Sequence, residues 1–187
     1  MESEQYVSPL LALGSIAVVF AVLISMMAAE LDFAEPLRRL IDQHAQKLML
    51  VPAMAAMLGS LYYSEIVGFI PCEFCWFQRI AMYPLAGLLL VAVVTRGRLD
   101  SRYIVLLAVG GLGLSIYHYQ LQLFPEQAGV CSGLVRCTDK NVEEFGFISI
   151  PWMAGSCFLA VILLQISEWR VDFLYRRWAS EGGSSPL

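Results

Sequence analysis

The chain has 187 residues, 58% of them hydrophobic and 15% charged, with a formal net charge of -4 and a mean hydropathy of +0.66. Soluble domains carry about 25% charged residues, so this composition excludes an ordinary soluble protein and points to an integral membrane protein built as one unit. The small acidic excess says little about partners; no nucleotide or phosphate loop is present, and no nucleic-acid partner is expected.

Residues 1–9 carry Glu2 and Glu4 but neither Lys nor Arg. Residues 10–29 follow without a charge, enough as a helix to cross a hydrocarbon core roughly 30 Å thick. A cleaved signal peptide would need a basic start and a shorter apolar run, so this segment reads as a retained span. Residues 31–47 are mixed, with Arg38, Arg39 and Lys47, and Leu37, Leu40 and Ile41 recur at helical spacing, as in a short amphipathic helix on the membrane surface. The second span is expected over 48–70, where Pro52 and Gly59 are tolerable in a helix bundle. Glu65, near its outer end, reads as an interfacial side chain rather than a proton carrier.

Pro71-Cys72-Glu73-Phe74-Cys75 then sets two cysteines at C-x-x-C spacing before a third span. Its apolar part, 80–95, is shorter than the ~20 residues a crossing needs, so the helix is expected to begin near Cys75 and to carry Arg79 about 6 Å into the membrane. Arg96, Arg98 and Arg102 mark a tight loop. Residues 103–123 form the fourth span, with Gly110, Gly111 and Gly113 offering a close helix contact. Residues 124–150 form a polar loop holding Cys131 and Cys137. Pro151 suits the first turn of a fifth span reaching about Ser167, and a polar tail follows.

Of the twelve Lys and Arg, this topology puts Arg38, Arg39, Lys47, Arg96, Arg98, Arg102, Arg170, Arg176 and Arg177 on one side, Arg136 and Lys140 on the other, and Arg79 within the membrane. Basic residues are held on the cytoplasmic side. The N-terminus and both cysteine pairs are therefore expected outside, where thiols can be oxidised, and the C-terminus inside.

The chemistry lies in those pairs. A cysteine at a helix N-terminus feels the positive end of the macrodipole, which favours thiolate. Cys75 and Arg79 share a helix face at i,i+4, so the guanidinium could stabilise a thiolate or the oxygen of a quinone being reduced. The bland counterpart is a structural disulfide beside a snorkelling arginine. Cys131 and Cys137, in a loop with Gly129 and Gly133, suit thiol exchange, which needs access to one sulfur; a plain loop staple is the alternative. Four thiolates could also form a zinc site, but two membrane crossings separate the pairs and no metal is expected. His118 is either an interfacial residue of an aromatic belt or a hydrogen-bond donor to a quinone carbonyl. Cys157, inside the last span, reads as a small packing residue.

Pro71-Cys72-x-x-Cys75-x-x-x-Arg79 resembles the first motif of the DsbB-type quinone-dependent disulfide oxidases of bacterial membranes, including their BdbC branch. His118 followed by Leu121-Gln122-Leu123-Phe124-Pro125 is similar to the end of that family's third helix, and Phe145-Gly146-Phe147-Ile148-Ser149-Ile150-Pro151 to the entry of its fourth. The resemblance covers 48–168. It implies an all-α fold, a four-helix membrane bundle over 48–168; the additional transmembrane helix and linker over 1–47 depart from that four-span core, and a cytoplasmic tail follows over 169–187. It also implies a bacterial cytoplasmic-membrane enzyme. By the same resemblance a reduced DsbA-like thioredoxin-fold partner would attack the loop pair, at Cys131 by motif match with Cys137 as the alternative; electrons would pass to Cys72 and Cys75, and a quinone, ubiquinone or menaquinone, would take them from Cys75 with Arg79 and His118 flanking it. Two other readings stand beside this one. In the vitamin K epoxide reductase family the loop pair precedes the C-x-x-C, whereas here it follows. A membrane scaffold with two structural disulfides would keep its cysteines oxidised whatever the quinone pool does.

Overall fold

The computed structural model describes residues 2–28, 35–131 and 135–180. Its helices are α1 (Glu2–Ala28), α2 (Glu35–Leu61), α3 (Glu73–Val94), α4 (Ser101–Leu123) and α5 (Ile150–Ser180). A π-helical turn (Tyr62–Ile66) prolongs α2, and a 3-10 turn (Pro125–Val130) and a two-stranded hairpin, β1 (Glu143–Glu144) against β2 (Ile148–Ser149), shape the α4–α5 connection. The fold is all-α, with one helix ahead of the expected four.

Among the described residues, four helical stretches are long and apolar enough to cross a membrane: Tyr6–Ile24, Glu73–Val94, Ser101–Leu123 and Ile150–Phe173. The expected span at 48–70 is not among them. Its helix starts at Glu35 and takes residues 35–47 as its opening turns, so no break separates an amphipathic linker helix from the span; residues 31–34 of that linker lie outside the described residues. Helical geometry continues through the π turn to Ile66, and 48–66 rises roughly 28 Å at 1.5 Å per residue. α3 begins two residues earlier than expected, because Cys72 and not Cys75 caps it. α5 runs on to Ser180, so the described part of the polar tail is helix.

Between apolar helices in lipid there is no hydrophobic drive to associate; close van der Waals packing and interhelical hydrogen bonds take its place. The core follows that rule. Phe158 of α5 is fully buried among Leu85 and Leu89 of α3, Ile104 and Ala108 of α4 and Met49 and Ala53 of α2. Its ring lies on Gly111, where a Cβ would stand 2.1 Å from Phe158 Cζ. Gly110 and Gly113, expected to share that contact, face open space. Gln78 Nε2 of α3 donates to Ser115 Oγ of α4 at 3.0 Å, and Ser115 donates on to Gly111 O at 2.9 Å. Interhelical hydrogen bonds of this kind contribute about 0.6–2 kcal/mol each in a membrane.

One end of the bundle is tied by charge. Arg98, in the α3–α4 turn, pairs with the buried Glu168 of α5, whose other oxygen accepts from Gln165 Nε2 at 2.8 Å. Gln46 of α2 meets the same turn with both halves of its amide, donating to Leu99 O at 2.8 Å and accepting from Leu99 N at 3.0 Å. The cysteine pairs lie at the opposite ends of α3 and α4.

Gly111→Ala is expected to lower the unfolding temperature in detergent markedly, overpacking costing about 1–3 kcal/mol, while Gly110→Ala and Gly113→Ala leave it nearly unchanged. Equal effects from all three would show that helix propensity, rather than the Phe158 contact, governs the position.

Candidate active site

After the π turn the chain reverses through Gly68, whose φ of +84° is open to glycine and strained for other residues. It then delivers Pro71 and Cys72 to the start of α3. Cys72 is the N-cap, with extended backbone (φ -73°, ψ 172°), and its sulfur accepts from Cys75 N at 3.3 Å. A thiol thus stands where serine or aspartate usually caps a helix. The consequence is placement: the Cys72 and Cys75 sulfurs lie 2.7 Å apart, as free thiols.

His118 approaches from α4. Its Nε2 is 3.1 Å from Cys137 O and 3.6 Å from Cys72 Sγ. A carbonyl only accepts, so Nε2 carries the hydrogen. The ring is buried and tilted against Phe74, centroids 5.8 Å apart. Cys137 is bonded to Cys131, and the four paired cysteines share one apolar cluster with Phe74 and Leu121. Neighbours on α4 pin the same loop: Tyr119 Oη donates to Phe147 O at 3.0 Å, and Gln122 accepts from Ser149 Oγ at 2.6 Å and donates to Asp139 O at 3.4 Å. Cys137 is buried, and Cys131 is partly exposed.

Cys72 is held down to about 4, first by the hydrogen bond from the Cys75 thiol, against burial, which pushes it up, and then by the hydrogen bond and charge of His118 and the Cys75 backbone N–H. It is a thiolate at neutral pH. Stabilising the reduced form in this way makes the corresponding disulfide a stronger oxidant.

Arg79, one turn beyond Cys75, donates from Nε to Ser60 Oγ at 2.9 Å and from Nη2 to Ser60 O at 3.1 Å. Its guanidinium lies 5.3 Å from the Trp76 ring centroid and 6.0 Å from that of Tyr83. Arg79 and Cys75 line a largely apolar cavity of about 210 Å³ between α1, α2, α3 and α5. Among the described residues its lining omits His118. That residue faces the other side of Cys75, in a small recess with Cys72, Gln122 and Pro151. Cys75 lines both.

The sequence profile of the family described as "Disulfide bond formation protein DsbB" matches residues 43–167. The chain belongs to the DsbB family. It is 43% identical over 134 residues to the "Probable disulfide formation protein" of Oceanobacillus iheyensis, covering 67% of this chain and 91% of that protein. It is 44% identical over 117 residues to "Disulfide bond formation protein C" of Bacillus subtilis, covering 62% and 85%. The same species' "SPbeta prophage-derived disulfide bond formation protein B" is 39% identical over 105 residues, covering 56% and 71%. No solved structure matches.

As a DsbB-family protein the chain is a multi-pass membrane thiol–disulfide oxidoreductase acting in disulfide bond formation. The structure gathers Cys72, Cys75, Cys131, Cys137 and His118 at one place and sets Arg79 on the cavity beside them; the two residues expected to flank a quinone together are thus parted by Cys75. The four-thiolate zinc arrangement does not form, since Cys131 and Cys137 are bonded to each other. The donor atoms that do converge belong to Cys72, Cys75 and His118, all within 4.8 Å, a set that would suit a soft cation. Glu65 is exposed, as an interfacial residue would be, and Cys157 is buried on the cavity wall. Ser60 and Tyr83, which position Arg79, escaped the sequence reading. The signal was a hydroxyl inside an apolar run, four residues before Ser64 on the same helix face.

The pH dependence of Cys72 tests this geometry. Its thiolate persists as pH falls until about 4, so alkylation of the reduced pair in detergent is expected to stay fast well below the ordinary thiol range. Removing the His118 contribution in His118→Ala is expected to shift the loss of reactivity upward. An unshifted profile would show that His118 does not touch the ionised sulfur.

Proposed function

We propose that the protein reoxidises a thioredoxin-fold, DsbA-like partner outside the bacterial cytoplasmic membrane and passes the electrons to a membrane quinone, ubiquinone or menaquinone. The observation that carries this reading is the position of Cys75. It lies in the same cluster as the loop disulfide on one side and on an apolar cavity with Arg79 on the other.

The basic residues set the orientation. Arg96, Arg98, Arg102 and Arg170 stand towards the Glu168 end, so by their excess that end is cytoplasmic and the cysteine end faces outward. The partly exposed Cys131 is the sulfur open to a partner thiolate. Attack there forms a mixed disulfide and frees Cys137; the partner's second thiol then releases the partner oxidised and Cys131 reduced. Cys137, buried against the His118 site, exchanges with the Cys72–Cys75 disulfide, remaking Cys131–Cys137 and leaving Cys72 and Cys75 reduced. Two electrons and two protons have moved inward. Cys72, favoured as thiolate, bonds to Cys75 as the pair gives up two electrons to the quinone, restoring the second disulfide.

The cavity suits a quinone. Its walls are chiefly apolar, and Arg79 has five N–H donors, of which only those on Nε and Nη2 are engaged, both by Ser60, among the described residues. A bound quinone supplies the electron sink, taking up the two electrons and two protons as it becomes the quinol. Arg79 holds a carbonyl oxygen near Cys75 and steadies negative charge there. His118 acts on the other face, orienting Cys72 and the Cys137 carbonyl.

Thiol trapping in membranes given a reduced thioredoxin-fold substrate, with and without quinone, is expected to show the paired cysteines accumulate reduced only when quinone is lacking. Four cysteines oxidised throughout would instead support the scaffold reading. Arg79→Ala is expected to raise the apparent KM for quinone about tenfold or more, from loss of a charged hydrogen bond worth about 1.5–3 kcal/mol, with the KM for the protein partner unchanged. An unaltered quinone dependence would remove Arg79 from the site.

A further inference from the structure

Helix α1 lies wholly ahead of the family-matched residues 43–167, yet it supplies one wall of the cavity. Leu10, Leu11, Gly14, Ser15 and Val18 line it, a spacing that puts them on one helical face. The helix is seated, not adrift: Ala12 is fully buried in a cluster with Tyr63, Ile148 and Met153, and Ser8 Oγ accepts from Tyr63 Oη at 3.0 Å. At the cysteine end α1 and α2 touch, with Leu11 Cδ1 3.5 Å from the position of a Gly59 Cβ. Below that contact the cavity's lining includes Gly14 on α1 and Val51 and Ala55 on α2, all three exposed. A residue that both lines a cavity and is exposed marks where it opens; Leu10 and Ile70, exposed on the same lining, carry that opening towards the cysteine end. Nothing within 4 Å would meet a Cβ at Gly14.

We infer that α1 converts the quinone site into a slot entered sideways from the bilayer between α1 and α2, with Gly14, Val51 and Ala55 as its threshold; this rests on the quinone reading above. Volume gives the reason a threshold is needed. A cavity of roughly 150 Å³ holds a benzene ring, so about 210 Å³ takes a substituted quinone ring and little more. The lipid tail must leave through the mouth, and small side chains there give it room.

The test uses Gly14→Leu and, from the opposite lip, Ala55→Leu in the full-length protein, assayed with a long-tailed quinone, a tailless quinone of the same ring, and a reduced thioredoxin-fold substrate. Unfolding temperatures in detergent check that each variant is folded. Each variant is expected to raise the KM for the tailed quinone about tenfold by overfilling the slot, with a clearly smaller rise for the tailless quinone and the protein substrate at its wild-type value. An unchanged KM for tailed quinone in both variants would overturn the portal. Equal impairment with the tailless quinone would overturn it too, placing the effect on the ring site. If the wild-type protein is reoxidised by neither quinone, the quinone reading itself fails and the portal with it.

Discussion

The capping of α3 by a cysteine is the constraint on which the rest of the site depends. An N-cap side chain has to turn back over the first helical N–H groups, so using Cys72 there fixes its sulfur beside Cys75 N and within reach of the Cys75 sulfur. Capping and ionisation then reinforce each other. The same N–H groups that the cap satisfies stabilise the thiolate, and the buried His118 adds a further hydrogen-bond contact. Glycine at 68 and proline at 71 serve this one placement, reversing the chain and feeding it to the cap in extended form.

A second constraint is the loop. A disulfide in a polar connection has no reason to lie against a membrane helix unless something holds it there. His118, Tyr119 and Gln122 do so, gripping Cys137 O, Phe147 O, Asp139 O and Ser149 Oγ. Backbone acceptors predominate in that set, so the fastening depends on loop shape more than on loop sequence. It leaves Cys131 partly exposed while Cys137 is buried.

Much of this was legible in the residues. Uncharged runs gave the spans at 10–29, 103–123 and 151–167, and the short run at 80–95 required α3 to begin inside the C-x-x-C. The spacing of Cys75 and Arg79 put both on one face, and both line the cavity. What periodicity gives is a face, not the neighbour it meets. That is why His118 could be assigned to an interface or to a quinone but not to Cys72 and the Cys137 carbonyl, and why three glycines looked equivalent when only Gly111 meets Phe158. The helix ends at 47/48 and 168 were misplaced for another reason: charge marks the membrane boundary, whereas helical hydrogen bonding continues past it until a cap or breaker intervenes.

The same distinction between face and neighbour explains the role of α1. Its sequence shows only an apolar helix of spanning length, which by itself could lie anywhere around a bundle. Ser8 and Ala12 locate it, because a serine hydroxyl exposed to lipid would lack a partner and Tyr63 Oη supplies one. Once that end is fixed, a straight helix crossing a neighbour touches it closely over a limited length and then diverges. α1 meets α2 at Gly59, and the cavity that both helices line lies beside Cys75 and Arg79. On the quinone reading, an added helix packed along α2 throughout would seal this side of the site, whereas the space beside Gly14, Val51 and Ala55 would enclose a ring and still leave the bilayer a way in.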